Sequence, residues 1–457
     1  MKKTYGVCLG LLALGLVGTG APAAHARSLS AAGSAVGGSD AAATTTASTT
    51  INSSHTDDVL VAENDAKDTV APAADAPQDQ APASGTPAAT TPPAPMPLPT
   101  PSMSGPLATA VPHEIPAGPF GKIEVTGILS GIGLFGNNPV APGDEGHVDL
   151  SNAQVFIQKT SGWFQFYLQG GAYNLPVVGV PFLKTTTTTS SDFGAFPVGY
   201  IKLVKGNFNV EVGALPTLIG DEYIFTFENM NIERGLLWNQ EPVVSRGIQL
   251  NDTWKKLTMS FSWNDGFYSN RYTSLSGLLA YAVNSSNTLT VAAGGNAGSY
   301  VRIGPNSFPT PALQNNEQVY NLIYTYTKGP ITLSPYYQYT VVKSDDALYG
   351  TGAHTNGGAL LANYNFKHGF SLAARPEYIK SSGSVTTAEA NLLGYGSGTG
   401  AFSFTVTPTW VKDAFFLRGD VSIVHLTNFV PGTSIGFGIG GTNTNQTRAA
   451  IEAGFMF

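Results

Sequence analysis

The sequence predicts an all-β chain: a transmembrane, antiparallel, up-and-down β-barrel of about 16 strands (roughly 14–18), preceded by a disordered Pro/Ala-rich segment. Three observations carry this. Residues 119–457 alternate apolar and small polar side chains with a period of two. The connections between alternating runs are short and long by turns. Only 12% of the 457 residues are charged although 42% are hydrophobic, yet nowhere do they form the ~18-residue apolar run that a spanning helix needs. Soluble domains carry about 25% charged residues, so a soluble globule of this size would lack surface charge. The balance of 23 Lys+Arg against 30 Asp+Glu, a net −7, has no basic footprint for nucleic acid.

The first element is a secretory signal over residues 1–26. Lys2 and Lys3 form a basic start, Val7 to Val17 an apolar run, and Ala24-His25-Ala26 a small-x-small cleavage site. The only cysteine, Cys8, precedes most of the apolar run, too early for a lipid-anchor site and absent from the mature chain. Disulfides and thiol chemistry are thereby excluded.

Residues 27–118 form the second element. They hold no aromatic residue, thirteen prolines between Pro72 and Pro116, and 2 basic against 9 acidic groups. Such a composition cannot bury enough apolar area to offset the entropy of ordering its backbone. A disordered, acidic periplasmic linker is expected. A passive tether is the plainer reading, and contact with the cell wall the sharper one.

The third element, residues 119–457, holds 47 of the 48 aromatics with 19 basic and 21 acidic groups. Leu257-Thr258-Met259-Ser260-Phe261-Ser262-Trp263 shows the alternation, and Phe402 to Trp410 repeats it. Sixteen runs follow one another: 121–134, 148–159, 162–171, 196–205, 207–214, 242–251, 256–265, 276–285, 287–296, 317–328, 330–341, 356–366, 369–379, 401–411, 414–426 and 447–457. Those at 121–134, 276–285 and 287–296 show the weakest pattern. Short links such as Gly206, Gly329 and Lys412-Asp413 alternate with long ones such as 172–195, 215–241 and 381–400. A membrane barrel with short periplasmic turns and long extracellular loops has this rhythm, whereas a soluble sandwich has no reason to put all its long loops on one side. Phe164, Phe208, Phe370, Trp410 and Phe415 sit on apolar faces beside short turns, where an interfacial girdle in contact with outer-membrane lipids belongs. In the last run Ile451, Ala453, Phe455 and Phe457 share one face. A terminal Phe after such alternation resembles the insertion signal that the bacterial barrel-assembly machinery reads.

Gly213 to Leu250, GALPTLIGDEYIFTFENMNIERGLLWNQEPVVSRGIQL, carries a more specific resemblance. It is similar to the OmpL-like family of β-barrel porins at Gly220, Glu222, Asn229, Asn231, Arg234, Leu236, Leu237, Pro242 and Gly247. The resemblance covers 119–457 and leaves out the Pro/Ala-rich segment. It implies passive passage of small hydrophilic solutes across the outer membrane.

That function needs a polar lumen, not a catalytic constellation. Alternation places Glu211, Arg375, Glu377, Arg418, Asp420, Arg448 and Glu452 on inward faces, with Arg375/Glu377 and Arg418/Asp420 as visible pairs. They either set a transverse field or merely solvate a wet wall. The third long loop, 215–241, supplies constriction candidates Asp221, Glu222, Glu228, Glu233 and Arg234, with a balance of −4 against +2 for the rest of the barrel. If it folds inward, the pore prefers cations weakly; as a surface loop it would only carry solvated charge. The barrel's four histidines, His147, His354, His368 and His425, sit in no HExxH or paired-ligand spacing, and no GxSxG occurs. No enzyme, cofactor or metal is expected. The alternative class is a plugged barrel acting as an anchor or adhesin with a tail that reaches the cell wall. A homotrimer is an expectation from strand number alone.

Overall fold

The computed structural model describes residues 107, 111–141, 143–297, 312–347, 349–387 and 389–457. The signal sequence and most of the linker lie outside the described residues. The strands are β1 (His113–Pro116), β2 (Lys122–Gly136), β3 (Gly146–Lys159), β4 (Phe164–Tyr173), β5 (Val198–Lys205), β6 (Phe208–Pro216), β7 (Val244–Trp254), β8 (Leu257–Asn264) and β9 (Ser274–Asn284). They continue as β10 (Asn287–Asn296), β11 (Gln318–Lys328), β12 (Ile331–Val342), β13 (Ala353–Asn365), β14 (Phe370–Ser381), β15 (Gly400–Lys412), β16 (Phe415–Thr427) and β17 (Asn445–Met456). Among the described residues two short α-helices, α1 (Thr185–Ser191) and α2 (Ala312–Asn315), lie in long loops.

From β2 to β17 each strand pairs antiparallel with the next, and β17 returns to β2 from Arg448↔Gly136 to Met456↔Ile128. The result is a closed barrel of sixteen strands, which leaves no open edge. Each of the sixteen alternating runs overlaps one of these strands, the three weakest included. Phe457 completes the seam: its backbone exchanges hydrogen bonds of 2.6 and 2.9 Å with Gly127. A Cβ on Gly127 would stand 2.4 Å from the Phe457 ring, so the glycine makes room for the terminal aromatic.

β1 is an addition. It lies inside the span expected to be linker and pairs with the start of β2, from His113↔Val125 to Pro116↔Lys122. There it continues the line of β17 past the terminal residue. All four of its residues are exposed and it is bracketed by Pro112 and Pro116, so no alternation marks it. Ahead of it, Leu107 is only 4% exposed and joins an apolar cluster with Ile128, Phe156, Phe416 and Met456. The barrel unit therefore begins before residue 119.

The links β5–β6, β7–β8, β9–β10, β11–β12 and β15–β16 are two residues long and sit, with the C-terminus, at one end of the barrel. Lys255 (φ +56°) and Asp413 (φ +53°) adopt left-handed backbone in two of these turns, and Gly206 and Gly329 do so in two others. All long loops sit at the other end. Side chains alternate cleanly across the wall. On β16, Phe415, Leu417, Val421 and Ile423 are exposed outside, while Phe416, Arg418, Asp420, Ser422, Val424 and Leu426 are buried inside. Trp163, Phe208, Trp254, Phe366, Phe370 and Phe415 ring the short-turn end with exposed aromatic surface. A continuous outward apolar band is unfavourable in water and suits hydrocarbon. No helix among the described residues is long and apolar enough to cross a membrane, so the strands must do it.

Candidate functional site: the loop-lined lumen

The site is built where the loop between β6 and β7, residues 217–243, turns into the barrel. The loop is unlike a surface loop in composition: Ile224, Phe225, Phe227, Met230, Ile232, Leu236, Leu237 and Trp238 are all buried. Its path is pinned strand by strand. Ile219 packs with Ala292 and Val319 of β10 and β11. The next residue, Gly220, gives its amide to Asn321 Oδ1 at 3.1 Å. It has φ +87°, and any Cβ there would overlap the Glu241 carboxylate, so the turn demands glycine.

Wall arginines then receive the loop. Arg375 on β14 holds Glu222 at 2.5 Å and Glu377 at 3.1 Å, and donates to the Glu233 carbonyl at 2.7 Å. Glu222 also accepts the Gly235 amide at 2.9 Å, and Glu377 the Leu236 amide at 3.2 Å. Arg418 on β16 donates to the carbonyls of Thr226, Asn229 and Met230 at 2.8, 2.8 and 2.9 Å. Asp420 accepts the amides of Ile232 and Glu233, both at 2.9 Å. Arg448 on β17 holds Glu233 at 3.0 Å, while its remaining bonds reach the carbonyls of Val177 and Val180 in the loop between β4 and β5. Thr226 Oγ1 donates to Glu452 at 2.6 Å. The loop's backbone groups thus find partners on the wall that water would otherwise supply, as buried backbone requires.

Every constriction candidate lies inside the barrel, and Glu222, Glu228, Glu233 and Arg234 are buried against the wall. Arg234 is fully buried, with its guanidinium 5.7 Å from the Trp238 ring and no hydrogen bond to its nitrogens. Its charge is faced by those of Glu222, Glu452 and Glu228. Burial pushes the Asp221 carboxyl up to about 7 and the Glu228 carboxyl up to about 8. For Glu228, the amide of Phe225 and the charge of Arg234 offset this only in part.

Six of the seven lumen candidates gather here; Glu211 does not. It stands on β6, across the barrel, paired with Lys202 of β5 at 3.3 Å. The pair Arg375/Glu377 forms as the sequence suggests. Arg418 and Asp420 make no direct bond, though their charges attract: Arg418 stands directly opposite Glu452 in the ladder and bonds to it at 3.5 Å, while Asp420 takes the loop amides and the Thr407 hydroxyl. Sequence reasoning also missed Asn152, which donates to Thr226 Oγ1 at 2.7 Å, and Ser422, which donates to Glu233 at 2.7 Å. Their only signal is a polar side chain on the inward alternation.

A closed sixteen-stranded barrel whose third long loop folds into its own lumen is the architecture of a porin. The model of the family "Putative beta-barrel porin-2, OmpL-like" matches residues 122–457, and the chain belongs to that family. No protein of curated function matches the sequence. Among solved structures, an anion-selective porin from Comamonas acidovorans is similar at 12% identity and a TM-score of 0.50, over 73% of this chain and 99% of that one. OmpT, an outer membrane protein of Vibrio cholerae, is similar at 9% identity and a TM-score of 0.50, over 76% of this chain and all of its own. At such identities the likeness is one of fold. Family and fold make the protein an integral outer-membrane channel of bacteria.

Proposed function

We propose that the protein forms a water-filled channel for passive diffusion of small hydrophilic solutes, with a weak preference for cations. The observation that carries this is the loop 217–243, anchored inside a closed barrel by Arg375, Arg418 and Arg448. A loop so placed narrows a pore without closing the ladder around it. Its five acids outnumber its one base. The acids are buried, or half-buried in the case of Asp221, and Glu222 and Glu233 are paired with wall arginines, so they act on a passing ion through the field more than by contact, and the preference is small. A reversal potential in a KCl gradient tests this: weak potassium preference is expected, and chloride preference contradicts it.

A second reading, a barrel plugged as an anchor or adhesin, is favoured by one observation. The inward side chains of β14 and β16 are buried along their whole length. Steady conductance of the reconstituted protein would exclude that reading. We propose further that Phe457 directs insertion through the assembly machinery, that the protein is a homotrimer in the membrane, and that the linker is a periplasmic tether that reaches the cell wall. Removing residues 27–106, which spares Leu107 and β1, should leave conductance intact; its loss would contradict the tether.

A further inference from the structure

The inner wall is divided by chemistry. On β14 to β17 the inward charges are sealed beneath the loop. On β5 to β12 the inward positions carry two charged side chains, Lys202 and Glu211, and these neutralise each other at 3.3 Å. Apart from Lys202, the inward groups that stay half-buried there, in the short-turn half, are uncharged: small apolar side chains such as Val204 and Ala280, and polar ones that include Asn251, Thr253, Ser260, Thr290, Thr325 and Thr327. They pair across strands, Ser260 with Asn251 at 2.7 Å and Thr325 with Ser334 at 3.2 Å, and each hydroxyl or amide keeps spare bonding capacity.

We propose that this neutral wall is the solute track of the channel and that it selects uncharged polyhydroxylated solutes, such as monosaccharides, over charged ones of equal size. The inference rests on the channel reading above and adds the substrate class to it. The opposite wall is covered by the loop, so a solute passing through the short-turn half meets β7 to β12. A row of hydroxyls and amides can donate to and accept from successive sugar hydroxyls as water is shed. An ion shedding the same water finds no fixed counter-charge there and is disfavoured. The acids behind the loop leave a residual field, so a cationic sugar is disfavoured less than an anionic one.

The mature chain reconstituted in liposomes tests this by swelling in isotonic glucose, glucosamine and gluconate, with planar-bilayer conductance measured on the same preparation. Glucose should enter at least threefold faster than gluconate, with glucosamine between them. The isosteric variant T290V/T325V removes two hydroxyls at constant volume and should lower glucose entry at least threefold. Conductance steps accompanied by gluconate or glucosamine entry equal to or faster than glucose would overturn the neutral track and leave the channel standing. Unchanged glucose entry in T290V/T325V would overturn it as well. Absence of both conductance and swelling would instead remove the channel reading itself.

Discussion

Replacing Arg418 with Met should release the loop while leaving the barrel intact. The guanidinium holds the Thr226, Asn229 and Met230 carbonyls at 2.8 to 2.9 Å and faces Glu452 at 3.5 Å. Hydrogen bonds to a charged group contribute about 1.5–3 kcal/mol each. Three of them at the lower end give roughly 4–5 kcal/mol toward docking. At about 1.4 kcal/mol per tenfold, the undocked fraction should rise about a thousandfold. Methionine keeps the length of the side chain, so packing loss is small. Glu452 loses its arginine, and adding Glu452→Gln should restore part of the docking by removing an unpaired buried charge. The assay is trypsin cleavage after Arg234, which is fully buried when the loop is docked, followed on reconstituted protein beside single-channel recording. The native chain should resist cleavage. R418M should be cut at Arg234 and conduct more. A folded R418M barrel as resistant and as conductive as the native protein would refute the idea that this arginine clamps the loop.

Two further outcomes follow from named groups. The Asp221 and Glu228 carboxyls, raised to about 7 and about 8 by burial, are protonated at low pH and ionise as pH rises through those values. Potassium preference should therefore grow between about pH 6 and 9, while a flat reversal potential over that range, or no effect of D221N/E228Q on it, would place these acids outside the ion path. Deleting Phe457 removes the backbone exchange with Gly127 and should sharply lower the yield of assembled barrel, read as loss of the heat-modifiable band on a gel.

The sixteen barrel strands were legible because lipid on one side and polar groups on the other impose alternation on each of them. β1 was not legible: it borrows its partner from the free start of β2, buries nothing, follows one proline and ends on another. The inward charges were visible for the same reason as the strands, but alternation cannot tell a residue facing water from one facing a loop. Arg375, fully buried between Glu222 and Glu377, shows the difference. The bonded partner of Arg418 was not legible because neighbours in sequence are not neighbours in a ladder, where Glu452 sits directly across. The inward fold of the loop did have a signal. Eight large apolar residues within 224–238 are too many for a loop exposed to water.

Single-channel recording of the refolded mature protein in a planar bilayer shows whether a loop-narrowed barrel still conducts. Discrete conductance steps are expected, and they should grow when R418M frees the loop. A protein that inserts as a heat-modifiable barrel yet gives no steps, native or R418M, would contradict conduction past the loop.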